Sequence, residues 1–211
     1  MDSKVTGKKI RALRHSAGMT LEQLAVALRI KKNMLSNYEL GKSALSAELL
    51  TKIADFFDVS LDSLINRPNI FKENSSNGMC QCNVYSNISV DNFDENDDLN
   101  HFLHTVTLPE YLLGEGSFFG LKITDESLNV KNILRGSVVI ARQQSVASPG
   151  SLVIYQHKDH KAEYGIYSFT DENIIISPCS FDSTYKPKIF KLNDEDFKII
   201  GKVVWFLGPV I

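Results

Sequence analysis

Residues 20–41, TLEQLAVALRIKKNMLSNYELG, constrain this chain more than any other segment. Leu21, Leu24, Ala25 and Leu28 recur at i, i+3, i+4 and i+7, which is one apolar face of a helix. Thr20 stands before them with Gln23 three residues later, the spacing of a capping box, so a helix is expected over about 20–28. A short turn follows, then a second helix over about 31–40. That helix turns Leu35 and Tyr38 inward and exposes polar residues.

The flanks extend the helical pattern. Ile10 and Leu13 predict an earlier helix ended near Gly18, and Leu50, Ile53, Ala54 and Phe57 repeat the apolar face with Ser46 as cap. Leu61, Leu64 and Ile65 predict a last short helix, stopped before Pro68. Five short helices in about 60 residues form a compact all-α domain, expected over residues 1–67.

Residues 68–100 change in character. Asn, Asp, Ser and Glu dominate, and too little apolar surface is present to offset chain entropy, so a flexible acidic linker is expected, with an ordered piece at about 83–90. From residue 101 to 211 the pattern turns to β. Stretches at 118–124, 137–142, 151–156, 164–169, 173–177 and 198–206 are rich in Val, Ile, Phe and Tyr. Gly136, Pro149-Gly150, Asp171-Glu172-Asn173 and Ser177-Pro178 punctuate them. The fold class expected is therefore α plus β in two domains, a five-helix bundle followed by a mostly antiparallel β domain.

The net charge of −2 hides a division along the chain. Residues 1–67 carry 11 Lys/Arg against 7 Asp/Glu, residues 68–100 carry 1 against 6, and residues 101–211 carry 11 against 12. The basic head can neutralise phosphates locally whatever the remainder carries. No run of about 18 apolar residues appears, and residues 1–10 lack the apolar core of a signal peptide, so a cytoplasmic chain without a membrane partner is expected. Cys80, Cys82 and Cys179 do not make a disulfide framework. Cys80-Gln81-Cys82 offers two sulfurs, but no further Cys or His stands at zinc-site spacing nearby, so neither a metal nor a cofactor is expected.

The pair of helices at 20–41 resembles the helix-turn-helix of lambdoid phage repressors and the wider Xre/Cro-like family. Thr20, Leu24, Ala25, Ile30, Leu35, Ser36, Tyr38, Glu39, Gly41 and Lys42 meet the family pattern, and the resemblance runs over about residues 5–66. It implies that the second helix enters the major groove, where each base pair shows a distinct edge. By that resemblance Lys32, Asn33, Ser36 and Asn37 face bases, and Arg11, Arg14, Lys31, Lys42 and Ser43 are candidates for phosphate contacts. Lys suits guanine O6/N7 and Asn suits adenine N6/N7. Tyr38 and Glu39 read as structural, joining the recognition helix to the core. Two departures stand out: Leu21 where the family has Gln, and Lys31 where it has a Ser or Thr cap.

The β region resembles the C-terminal domain of LexA and of phage repressors of that type, carried by LKITDESLNVKNILRGSVVIAR, SPGSLVIY, IIISPCSFDSTYKPKIF and IIGKVVWFLG. The resemblance places the family's self-cleavage nucleophile at Ser127. Its lysine base falls on Tyr164 or Gly165, neither of which removes a proton from a hydroxyl at neutral pH. Lys158 and Lys161 lie in the preceding turn. The family's Ala-Gly or Cys-Gly cleavage bond is also missing, with Asn77-Gly78 and Leu113-Gly114 in its region. An unactivated serine is a weak nucleophile, so Ser127 reads as a remnant and no enzyme is expected.

These resemblances imply a DNA-binding repressor that reads a palindromic operator as a homodimer through its C-terminal domain. Two alternatives stay open: a self-cleaving serine-lysine repressor, and a regulator whose β domain receives an antirepressor protein or ligand. The hydrophobic run 203–207 is expected in the strand core, with an interface role as its alternative.

Overall fold

The computed structural model describes residues 3–65, 78–88, 102–114, 116–158 and 161–209. The chain divides into two compact units, residues 1–74 with 146–148 and residues 75–145 with 149–211.

The first unit holds five helices: α1 (Ser3–Ser16), α2 (Leu21–Ala27), α3 (Lys32–Glu39), α4 (Ala47–Phe57) and α5 (Leu61–Leu64). Each start is set by local chemistry. Thr20 Oγ1 accepts the Gln23 N–H at 3.1 Å while Gln23 Oε1 accepts the Thr20 N–H at 2.9 Å, so the expected capping box is complete. Ser46 and Ser60 cap α4 and α5 through Leu49 N–H and Ser63 N–H. Ile10, Leu24, Leu28, Leu35, Ile53, Phe56 and Leu64 close into one core. Gly7 lets α1 pass directly over the end of α3, because a Cβ there would stand 2.3 Å from the Tyr38 carbonyl oxygen.

The second unit is a nine-stranded sheet among the described residues: β1 (Met79–Tyr85), β2 (Phe102–Pro109), β3 (Phe118–Lys122), β4 (Val138–Gln143), β5 (Leu152–His157), β6 (Glu163–Phe169), β7 (Asn173–Ser177), β8 (Lys188–Lys191) and β9 (Phe197–Leu207). A one-turn helix, α6 (Glu110–Leu113), follows β2. The strand order is β2-β1-β3-β4-β9-β5-β6-β7-β8, antiparallel throughout except for β1 beside β3. Both faces are apolar. Phe119, Leu121, Val139 and Ala141 enter one cluster, and their neighbours Phe118, Val138 and Ile140 enter the other, as the two-residue period of a strand requires.

Two expectations need correction. Residues 79–82, read from composition as linker, belong to strand β1, which also takes in residues 83–85 of the expected ordered piece; its Cys82 and Val84 are buried and its backbone pairs with β2 and β3. The rest of the expected linker lies largely outside the described residues. The run 203–207 is not uniformly core either: Trp205 is 42% and Phe206 39% exposed. Strand β9 pairs with β5 only through Lys202, and beyond it runs on with hydrogen bonds to β4 alone.

Candidate nucleic-acid interface and serine pocket

Helix α3 is held by one face and open on the other. Leu35 is fully buried, and Glu39 is 7% exposed. Arg14 of α1 grips the Glu39 carboxylate with two bonds, Nε to Oε1 at 2.7 Å and Nη2 to Oε2 at 2.8 Å, while Nη1 donates to the Met19 carbonyl at 3.0 Å. The carboxylate raises the Arg14 pKa above its ordinary value, chiefly by that hydrogen bonding. Arg14 was a candidate for phosphate contact. It is 7% exposed with its donors spent inside the domain, so it is a structural residue instead.

On the open face Lys32, Asn33 and Asn37 are exposed and Ser36 is half-buried, so the four base-facing candidates share the outward side of one helix. Arg11, Lys31 and Lys42 are exposed and Ser43 half-buried. Lys31 occupies the N-cap position with extended backbone and no side-chain cap bond, as its departure from the family's Ser or Thr implies. One partner was not anticipated. Lys32 Nζ donates to Glu22 Oε2 at 2.7 Å across the turn, with both side chains more than half exposed. No helical periodicity links residues ten apart on two helices, so only the folded turn brings them together.

In the β unit, Ser127 is 8% exposed beside the fully buried Leu128. It lines a cavity of about 370 Å³ together with Tyr155, Lys161, Glu163, Tyr164 and Tyr185, among others. Of the two residues weighed for the lysine position, Tyr164 lines this cavity and Gly165 does not. A Cβ on Gly165 would meet Ile176 Cγ2 at 2.5 Å. Burial raises the Tyr164 hydroxyl pKa above its usual value, and its oxygen accepts the Thr124 N–H at 3.2 Å. Lys161 also lines the cavity, whereas Lys158 is not among the lining residues.

The backbone donors around Ser127 are already engaged. Its own N–H donates to Asp125 Oδ1 at 2.9 Å, and the Glu126 N–H donates to Tyr185 Oη at 3.2 Å. On the cavity wall Tyr155 donates its hydroxyl proton to Glu163 Oε2, and Lys188 Nζ pairs with the same carboxylate at 2.6 and 2.7 Å.

The Cys80 and Cys82 sulfurs lie 3.9 Å apart on one face of β1. Cys82 is fully buried, and desolvation pushes its thiol up to about 12, so Cys82 stays a thiol at neutral pH. Elsewhere, His157, Asp194 and Asp196 bring one ligand atom each to within 4.8 Å of one another, a cluster that spacing in the sequence did not suggest.

Comparison with known proteins agrees with this division. Residues 10–64 match a helix-turn-helix family, and residues 84–204 match the family described as peptidase S24-like. The LexA repressor of Mycolicibacterium vanbaalenii is 35% identical over 103 residues, covering 49% of this chain and 41% of that protein. The LexA repressor of Thermobifida fusca is 31% identical over 110 residues, covering 52% of this chain and 41% of that protein. The chain thus spans less than half the length of these relatives. A solved helix-turn-helix family transcriptional regulator from Vibrio cholerae covers 98% of this chain and 94% of its own at 18% identity, but its TM-score of 0.31 carries no argument. With more than half of its length matched, and with a helix-turn-helix unit ahead of that match, the chain belongs to the peptidase S24-like family.

Proposed function

We propose that this protein is a sequence-specific DNA-binding transcriptional regulator of the phage-repressor type, a cytoplasmic homodimer joined by its β domain on a palindromic operator. The observation that carries the reading is α3, with Lys32, Asn33 and Asn37 exposed on a helix whose other face is locked by Leu35 and the Arg14–Glu39 pair. A rigid helix with outward amide and ammonium groups matches the donor and acceptor edges of the major groove. The exposed Trp205 and Phe206 supply apolar surface for a second copy. Two copies on a shared axis would read half-sites about one helical turn apart.

The test is direct. Asn37→Ala or Lys32→Ala should cost about 1–3 kcal/mol at the selected site and relax preference at one base position. Lys42→Ala should weaken binding evenly across sequences and flatten the salt dependence. Equal, sequence-independent losses for all three would overturn the assignment of roles.

Ser127 serves no cleavage in this reading. Tyr164, one of the two residues at the family's lysine position, lines the Ser127 cavity, and the N–H groups of residues 124, 126 and 127 are bonded within the protein. Release from DNA then comes from a partner or ligand acting on the β domain. Self-cleavage remains the second reading, because Lys161 lines the same cavity as Ser127. Purified protein held at alkaline pH, where lysines lose protons most readily, should stay intact for a day. Two discrete fragments abolished by Ser127→Ala would establish the second reading.

A further inference from the structure

We propose that Glu22 and Lys32 act as one unit that reads a single G·C base pair, with Glu22 as a specificity-determining residue. The inference rests on the DNA-binding reading above and goes beyond it, since Glu22 belongs to α2 rather than to the recognition helix. The observation is the 2.7 Å bond from Lys32 Nζ to Glu22 Oε2, made on the outside of the domain between the first turns of α2 and α3.

An exposed ion pair of this kind adds little to stability, so its consequence lies in what it presents. A lysine ammonium has three protons. One is given to Glu22, which leaves two for the paired acceptors O6 and N7 of guanine. The carboxylate has about four acceptor sites and gives up one, so it can still accept from the N4 amino group of the cytosine. Acceptors and donor lie side by side on the major-groove edge of a G·C pair, and a Lys–Glu pair offers the complementary order. An A·T pair puts an amino donor and a methyl group in that space, and does not satisfy both partners.

A carboxylate near the DNA backbone also repels phosphates, so it reduces affinity for every sequence that does not supply the cytosine donor. Glu22 thereby trades general affinity for discrimination. It fixes Lys32 on the base edge as well, where a free lysine could swing to a phosphate. Leu21 cannot do this, because it brings no polar atom to the turn.

The experiment selects binding sites for the full-length protein from a random duplex pool, then titrates wild type and variants at two salt concentrations. Wild type should select a half-site containing one G·C pair at which Lys32→Ala and Glu22→Ala both relax the preference, each by about tenfold or more. Glu22→Ala should also bind non-specific duplex more tightly, with a salt slope steeper by about one as the freed lysine neutralises a phosphate. Glu22→Gln keeps an acceptor for Lys32 and should retain part of the discrimination. Both positions are exposed, so the thermal transitions should be unchanged. An unchanged base preference in Glu22→Ala, or relaxation at a different pair from Lys32→Ala, overturns the inference while leaving the DNA-binding reading intact. Failure of wild type to select any sequence overturns the DNA-binding reading itself, and this inference with it.

Discussion

Replacing Arg14 with Ala tests how the recognition helix is held. Arg14 and Glu39 have side chains 8% and 5% exposed, and they meet through two parallel bonds. Removing the guanidinium leaves the Glu39 carboxylate enclosed with nothing to balance its charge, a change that costs about 3–5 kcal/mol. Domains have about 5–15 kcal/mol in all, so most of the helical unit's margin is at stake. For a unit of this size the transition should fall on the order of 20 °C. Arg14→Lys should lie between, since an ammonium cannot reproduce the planar fork. The double change Arg14→Met with Glu39→Leu should recover most of the loss, because it removes both charges and keeps side-chain volume. The assay is thermal and denaturant unfolding of the full chain followed by the helical signal, with wild type, Arg14→Met, Glu39→Leu and the double variant forming a double-mutant cycle. A loss below about 1 kcal/mol for Arg14→Ala, the range of exposed pairs, would refute the reasoning. So would a double variant as unstable as the single one.

Further outcomes follow from other contacts. Gly7→Ala should destabilise the helical unit and disturb the seat of α3, because the added methyl meets the Tyr38 carbonyl at 2.3 Å; unchanged unfolding would show that α1 can shift freely. Cys82 has its folded pKa raised to about 12, so its contribution is fully present below the unfolded thiol value of about 8.5 and is lost as pH rises toward 12. Wild type should therefore lose stability more steeply than Cys82→Ala across that alkaline window, and parallel curves would contradict the burial argument. Trp205→Glu together with Phe206→Glu should weaken self-association by about tenfold or more in solution mass measurements; an unchanged mass would place the dimer contact elsewhere.

Local rules reached far in the helical unit. The capping box at Thr20 and Gln23, the Ser46 cap and the apolar repeats depend on residues three or four apart, and the structure reproduces them. The same holds for the turns at Gly136 and Gly150, whose φ values of 91° and 88° suit glycine. The first half of strand β1 escaped because its inward residues, Cys82 and Val84, are few and sit between polar neighbours. Its place is secured by β2 and β3, which lie far along the chain.

For the candidate sites, chemistry by residue type was legible and partnership was not. Helical spacing turned Leu35 and Tyr38 inward, because orientation on a helix follows from sequence position, and the family resemblance singled out Lys32, Asn33 and Asn37 among the polar residues left outside. Ser127 could be placed by its flanking motif. Whether a charged side chain is free, however, depends on what the fold sets against it. Arg14 and Lys32 look alike in sequence as basic residues of the helical unit. The fold closes Arg14 onto Glu39 in the interior, and it leaves Lys32 outside, paired with Glu22. The donors around Ser127 show the same distinction, since Tyr185 reaches the Glu126 N–H from 59 residues away. The sequence by itself determined the elements, because their periods and caps are short-range. Only the tertiary structure decided which charges and N–H groups remain available for a ligand, because burial and pairing are made by segments distant along the chain.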